Sequence, residues 1–425
     1  RVNKMFFFSG HGYISESKVA RMDEKAGLYE HFPWLRRRTD AISYMDHSDH
    51  NPVKEFVMNE VMRPDLDLAV LHHHGAPDTE YFNNIPTYNT PWGAKKYIQA
   101  YTRAHIRVAP ERGKNADSIR TVFEQRFDVP STWFADTFDP KVCERDSLDD
   151  AAQDLHLEDF AVYGYAPNSR VVIIDACFCG SFHLDDCIAD EYIFAPGRTV
   201  SVVANSVNVL QDKWSDHLMG LIAMGGCVGD IVRYSGYLES HCIGDPTFRF
   251  RPVEKSLDID GLIAADNTSA WRSLLKKGGN ADLQSLAIHH LVQKGDMDGK
   301  ELLEIYKSSP LALVRMQALT SLAKVRGDEF VEAIKLAVND SYELVQRHAL
   351  RYVGASGDDR LVPSLISVAI RNNTSDRCNF NAMTALAFYH KDKLMAEFAR
   401  QFDSPDVAYI NKEKTRKLIG DTTER

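Results

Sequence analysis

The sequence predicts a mostly parallel α/β sheet flanked by helices, followed by an all-α stack of repeats. Three observations carry this. Six short apolar runs in the first 250 residues alternate with helical or loop stretches, the pattern of crossover connections and of a sheet covered on both faces. Beyond about residue 268 such runs give way to helix upon helix with a recurring small-residue motif. The 425 residues, 44% of them apolar, supply material for two or three cores rather than one.

The six runs are Met5–Ser9 (MFFFS), Ala41–Met45 (AISYM), Leu68–Leu71 (LAVL), Val171–Ile174 (VVII), Val200–Ala204 (VSVVA) and Thr247–Phe250 (TFRF). Between them, Pro52–Met62 and Asp216–Met224 have the apolar spacing of amphipathic helices. The interval after Gly75 is rich in Asp, Asn, Pro and Thr and reads as an insertion, about residues 76–168, with helices near Ala94–Ala104 and Ala116–Arg126. These features set a sheet domain at residues 1–255 and a helical domain at 256–425.

In the second domain LAIHHLVQKGD (Leu286–Asp296), QALTSLAKVRGD (Gln317–Asp328), HALRYVGASGDD (His348–Asp359) and NAMTALAFYHKD (Asn381–Asp392) align. Their alanines Ala287, Ala318, Ala349 and Ala382 are spaced 31, 31 and 33 apart. Each unit offers a small residue for close helix approach, apolar positions at helical period and a polar turn. No such unit can bury its apolar face alone, so the units must stack as an α-solenoid. Length and pattern resemble HEAT repeats, which implies a surface for a protein partner.

Composition excludes several classes. Net charge is −10 with no basic block, against phosphate-neutralising nucleic-acid binding. No apolar run approaches the roughly 18 residues of a membrane span. The cysteines Cys143, Cys177, Cys179, Cys187, Cys227, Cys242 and Cys378 are odd in number and irregular in spacing, unlike a disulfide framework. The CFC of residues 177–179 lacks the two intervening residues of a redox or zinc pair, and at least one thiol should be free.

Chemistry concentrates where two of the strands end. Val171–Ile174 runs into Asp175-Ala176-Cys177, and Leu68–Leu71 into HHHG at His72–Gly75. Ligands bind outside the carboxyl ends of parallel strands. Two neighbouring strands would thus bring an imidazole and a thiol to one edge, and a nearby imidazolium favours the attacking thiolate. Gly75 would let a backbone N–H approach a developing oxyanion, and the N–H of Cys177 would be the second donor.

An apolar strand ending in His-Gly, then one ending in Asp-x-Cys-x-x-Gly, resembles the caspase-like cysteine peptidases, the gingipain-type family most of all. Gly180 and Phe182 after the cysteine, VSVVANSVN (Val200–Asn208), Trp214, and IGDPTFRF (Ile243–Phe250) extend the resemblance over roughly residues 1–250. It implies a six-stranded caspase-like sheet and peptide-bond hydrolysis, with Cys177 as nucleophile, His74 as general base and acid, and the amides of Gly75 and Cys177 as oxyanion hole. It also implies a basic P1 side chain, export from the cytoplasm, a peptide or protein substrate and no required cofactor, a structural calcium being compatible.

The resemblance further implies Asn205, Ser206, Trp214 and Asp23 as candidates for the S1 wall, and Glu16 and Asp46 as candidates for orienting the histidine. FFFSGHG at Phe6–Gly12 offers His11 as a rival base. His74 is preferred because it leaves two strands upstream, as the resemblance requires. Cys179 reads as structural. Two rival functions remain: a catalytically silent sheet domain whose solenoid binds a partner, and a metal hydrolase built on HHHG and MDHSDH (Met45–His50).

Overall fold

The computed structural model describes the chain apart from residues 11–17, 51, 83–90, 211, 256, 372–374, 410 and 424–425. Its strands are β1 (Met5–Ser9), β2 (Ile42–Asp46), β3 (Leu68–His72), β4 (His74–Ala76), β5 (Thr79–Tyr81), β6 (Leu155–His156), β7 (Val171–Asp175), β8 (Ser201–Asn205) and β9 (Ser240–Gly244). Six form one sheet in the order β2-β1-β3-β7-β8-β9, and β4-β5-β6 form a small second one. Strands β1, β3, β7 and β8 pair in parallel, and every residue in them is buried. Burial on both faces is why MFFFS and VVII are continuous apolar runs rather than alternating ones.

Helices α1 (Lys18–His31), α2 (Lys54–Val61), α3 (Pro91–Val108), α4 (Ala116–Phe127), α5 (Pro140–Ala151), α6 (Leu157–Tyr163), α7 (Ile188–Phe194) and α8 (Val228–Ser235) punctuate the strands. The expected insertion holds α3 to α6 with β5 and β6. It is pinned by Arg103, which donates two 2.7 Å bonds to Asp146.

The last expected strand is misplaced by a few residues. In DPTF the Asp245 carboxylate accepts from the amide and hydroxyl of Thr247, which turns the chain. The carbonyls of Phe248 and Pro246 then accept from Val228 and Gly229 at the start of α8, at 3.0 and 2.9 Å. Thr247–Phe250 therefore serves as a helix cap, and the strand is SHCIG just upstream. Likewise Asp216–Met224 tightens to a 3₁₀ turn, Met219–Met224.

The C-terminal region is all helical: α9 (Ile259–Ala265), α10 (Thr268–Lys277), α11 (Ala281–Gln293), α12 (Gly299–Ser308), α13 (Ala312–Val325), α14 (Asp328–Ala337), α15 (Glu343–Ser356), α16 (Val362–Arg371), α17 (Asp376–Leu386), α18 (Lys391–Phe402) and α19 (Lys412–Thr423). The four aligned alanines sit on α11, α13, α15 and α17, all fully buried. These alternate helices pack on one another, α11 on α13, α13 on α15 and α15 on α17.

Two compact units result. One gathers residues 1–4, 12–42 and 209–425, the other 5–11 and 43–208. The sequence reading divides the chain at residue 255, whereas by contacts both α1 and residues 209–255 group with the C-terminal helices. The Glu30 carboxylate accepts from the N–H groups of Ala312 and Leu313 at 3.0 and 2.9 Å, and Asp23 accepts from that of Glu343 at 2.8 Å. Helices α13 and α15 have no side-chain cap at Leu311 or Tyr342. A distant helix thus satisfies their first donors.

His31, at the end of α1, is fully buried, 2.9 Å from Asp282 and 3.1 Å from Asp216. Burial pulls its pKa down, but attraction to Asp282 and the bonds to both carboxylates prevail and push it up to about 10. Gly220 packs over this pair, and a Cβ there would lie 2.6 Å from the His31 carbonyl oxygen. Because the folded pKa exceeds the ordinary 6.5, the stabilisation is complete below about pH 6.5 and is lost as pH rises towards 10. His31→Gln should cost about 3–5 kcal/mol near pH 6. Denaturant unfolding across pH should show an alkaline decline in the wild type that the variant lacks.

Candidate functional site

The parallel pairing of β3 with β7 sets His72 opposite Asp175. The His72 Nε2 lies 2.6 Å from Asp175 Oδ2, and Asn205 donates to Asp175 Oδ1 at 3.0 Å and to the Ala176 carbonyl at 3.1 Å. All three side chains are buried. Asn205, a candidate for the S1 wall, thus fastens the turn that leaves β7.

From here the two chains continue side by side. The His73 N–H approaches the Asp175 carbonyl at 3.4 Å. His73 Nδ1 donates to the His74 carbonyl at 2.8 Å. His73 Nε2 lies 2.9 Å from Glu80 Oε1 on β5, although neither atom has an aligned hydrogen bond. Tyr192 of α7 donates to the other Glu80 oxygen at 2.9 Å. His74, half-buried, stands opposite Tyr81 in the β4–β5 pair.

Gly75 touches the cysteine turn. A Cβ on it would lie 2.7 Å from the Cys177 carbonyl oxygen and would press on Cys179 Sγ and Ala176. The residue must therefore be glycine for backbones to approach this closely. His74 and Cys177 are thereby carried on segments in direct contact.

The turn itself is strained. Phe178 has φ 61°, and the Cys179 N–H bonds back to the Cys177 carbonyl at 2.8 Å, closing a left-handed γ-turn around Phe178. Such turns are rare for residues with a side chain and concentrate at functional sites. The Phe178 N–H is held by the Val207 carbonyl at 3.2 Å and that of Gly180 by the Asn205 carbonyl at 2.9 Å. Cys177 is half-buried, and its thiol donates to Asn208 Oδ1 at 2.8 Å.

Four other thiols of the chain are raised by their surroundings. Cys179 is fully buried, and burial, then the charge of Glu80, pushes it well up. Burial and the Asp190 carboxylate raise Cys187 to about 11, and burial raises Cys227 and Cys378. Thiols pushed up in this way stay protonated and weakly nucleophilic.

The remaining candidates fall elsewhere. Ser206 follows β8, and its carbonyl accepts from the Ser181 hydroxyl at 3.1 Å. Asp46 ends β2 in a side-chain-closed turn, accepting from the amide and hydroxyl of Ser48 at 2.9 and 2.6 Å. Asp23 and Trp214 belong to the helical unit, the first capping α15, the second buried. Glu16 and the rival His11 lie outside the described residues. Among the described residues no group of three or more His, Cys, Asp or Glu side chains is placed to hold a metal ion. Asn208, Glu80 and Tyr192 escaped the sequence reading. Asn208 does end the VSVVANSVN stretch, and polar residues just past a parallel strand were the available signal.

No protein-family model and no curated protein matches this chain.

Gly75→Ala should force the Cys177 turn aside at a cost of about 1–3 kcal/mol. The expected result is a lower unfolding midpoint and a changed rate of Cys177 alkylation relative to Cys143. Wild-type values for both would show that the two segments do not touch.

Proposed function

We propose that this chain is a cysteine endopeptidase with a caspase-like catalytic fold and a HEAT-like solenoid, Cys177 being the nucleophile and His74 the general base and acid. One observation carries the reading. The ends of the adjacent parallel strands β3 and β7 continue as contacting segments, with Gly75 against the Cys177 carbonyl and Cys177 on a strained turn. Two further facts support it. The thiol at 177 is partly accessible while Cys179 is sealed in. Exposed apolar side chains, Phe178, Phe182, Leu184 and Val207, also flank the turn and suit an extended peptide.

In the proposed reaction the Cys177 proton passes to His74 and Sγ attacks the scissile carbonyl carbon. The oxyanion that forms is met by the amides of Gly75 and Cys177. The C–N bond then breaks, His74 protonates the departing amine, and a thioester remains. Water gives a proton to His74 and adds to the thioester. The C–S bond breaks as His74 returns its proton to sulfur, and the carboxylic acid product leaves and gives its proton to solvent. The His72–Asp175–Asn205 network holds the turn and takes no proton. The resemblance extends the reading to a basic P1 residue.

An electrophilic peptide should label the wild type and Cys179→Ala, and should not label Cys177→Ala. Cleavage of a peptide library should vanish only with Cys177→Ala and should report the P1 residue. Labelling that survives Cys177→Ala would overturn the assignment.

A further inference from the structure

The chain leaving β8 is strapped to the cysteine turn by successive carbonyls. That of Asn205 accepts from the Gly180 N–H at 2.9 Å, that of Ser206 from the Ser181 hydroxyl at 3.1 Å, and that of Val207 from the Phe178 N–H at 3.2 Å. The next residue is Asn208, the last of the unit that holds β7 and the cysteine. With its backbone placed in this way its side chain reaches the sulfur, and Oδ1 accepts from the Cys177 thiol at 2.8 Å.

The amide itself is not fastened. Asn208 is exposed, and among the described residues its side chain makes that bond and no other. The terminal torsion of asparagine is broad and roughly two-fold, so the amide can turn end for end and bring Nδ2 to the place of Oδ1. The two orientations serve different forms of the cysteine. A thiol is a weak donor, and its bond to Oδ1 favours the protonated form. A thiolate only accepts, and a bond to it from Nδ2 is charge-assisted, roughly twice as strong as a neutral one. The balance therefore favours the ion.

Other ionisable groups on the segments packed around the turn have their own partners. Asp175 is paired with His72, and Glu80 stands against His73 and Tyr192. Cys179 is sealed in and pushed up, first by burial, with Asp78 and Cys187 adding to the effect. Residues 205–208 carry no titratable side chain. His74, on the segment that touches the turn, is the base of the proposed reaction.

We infer that Asn208 stabilises the Cys177 thiolate: its amide accepts from the resting thiol and turns to donate from Nδ2 once the proton has passed to His74. The same N–H meets the sulfur again when the thioester C–S bond breaks and its electron pair returns to sulfur. The inference deepens the peptidase reading and rests on it for its place in turnover.

Iodoacetamide alkylation of Cys177 in the full chain, followed against pH by peptide mass mapping with Cys143 as internal reference, reads the sulfur directly and needs no turnover. Removing a donor to the thiolate leaves the ion less favoured, so Asn208→Ala should raise the alkylation midpoint by about one pH unit. If Asn208 served only as an acceptor for the thiol, the same variant would lower the midpoint, so the sign decides. Asn208→Gln, which keeps the donor one methylene further out, should fall between the two. Position 208 is exposed, so both variants should melt like the wild type. An Asn208→Ala midpoint equal to or below the wild-type value overturns the inference, as does a Gln variant indistinguishable from Ala. So does turnover lost from Asn208→Ala with an unmoved midpoint, which would place the amide on the substrate instead. Peptide cleavage surviving Cys177→Ala would count against the peptidase reading and not against a shifted midpoint. An unmoved midpoint in an enzyme silenced by Cys177→Ala would count against this inference alone.

Discussion

Without the in-register pairing of β3 and β7, nothing at the carboxyl edge of the sheet would hold its place. Parallel strands that begin in step also end in step, so the last residues, His72 and Asp175, meet directly. A carboxylate buried there would be costly alone. It is answered on both oxygens, by His72 on one and by Asn205 from β8 on the other. Three adjacent strands are thus tied together at their ends before the chain departs. The strained turn at Phe178 can persist because its N–H groups are held by carbonyls at the end of β8 and just beyond it, those of Asn205 and Val207. Strain of this sort survives only where its surroundings over-determine it.

The same logic explains the order of the three histidines and the glycine in HHHG. His72 turns to Asp175, His73 turns to the Glu80–Tyr192 pair, and the chain then bends so that Gly75 fits against the cysteine turn. Two of the three imidazoles are therefore committed to buried partners that hold the backbone, and His74 is the half-buried one. A run of like residues that could suggest a shared ligand instead distributes its members to different jobs.

Much of this was legible in sequence because it is local. Five of the six apolar runs became strands within a residue or so of their expected ends, and Ala287, Ala318, Ala349 and Ala382 fell on successive alternate helices. What sequence reasoning missed depends on partners far along the chain. TFRF has the residues of a strand, yet Asp245 turns it and α8 claims its carbonyls. The resemblance makes Asp23, an acid shortly after the first strand, a candidate for substrate binding, but it caps a helix 320 residues away. Nothing within a window of neighbours reports such a contact. Trp214 is a candidate for the S1 wall by the resemblance alone, and its unsatisfied indole is visible only once the helices around it are assembled.

Helix α1 shows why the helical unit cannot be cut from the chain at residue 255. Helix α11 is capped by its own Asn280, and α17 by its own Ser375. Between them α13 and α15 carry Leu311 and Tyr342 at the capping position, residues with no oxygen able to reach the first N–H groups. Glu30 and Asp23, two turns apart on α1, fill those roles, and His31 neutralises Asp282 at the start of α11. One helix from the beginning of the chain therefore spans the starts of three from near its end. Removing it would leave orphaned donors on two helices and an unpaired buried carboxylate on the third, each among the costlier defects a core can carry. In sequence terms segment 43–208 lies between α1 and the remainder of the helical unit that α1 completes.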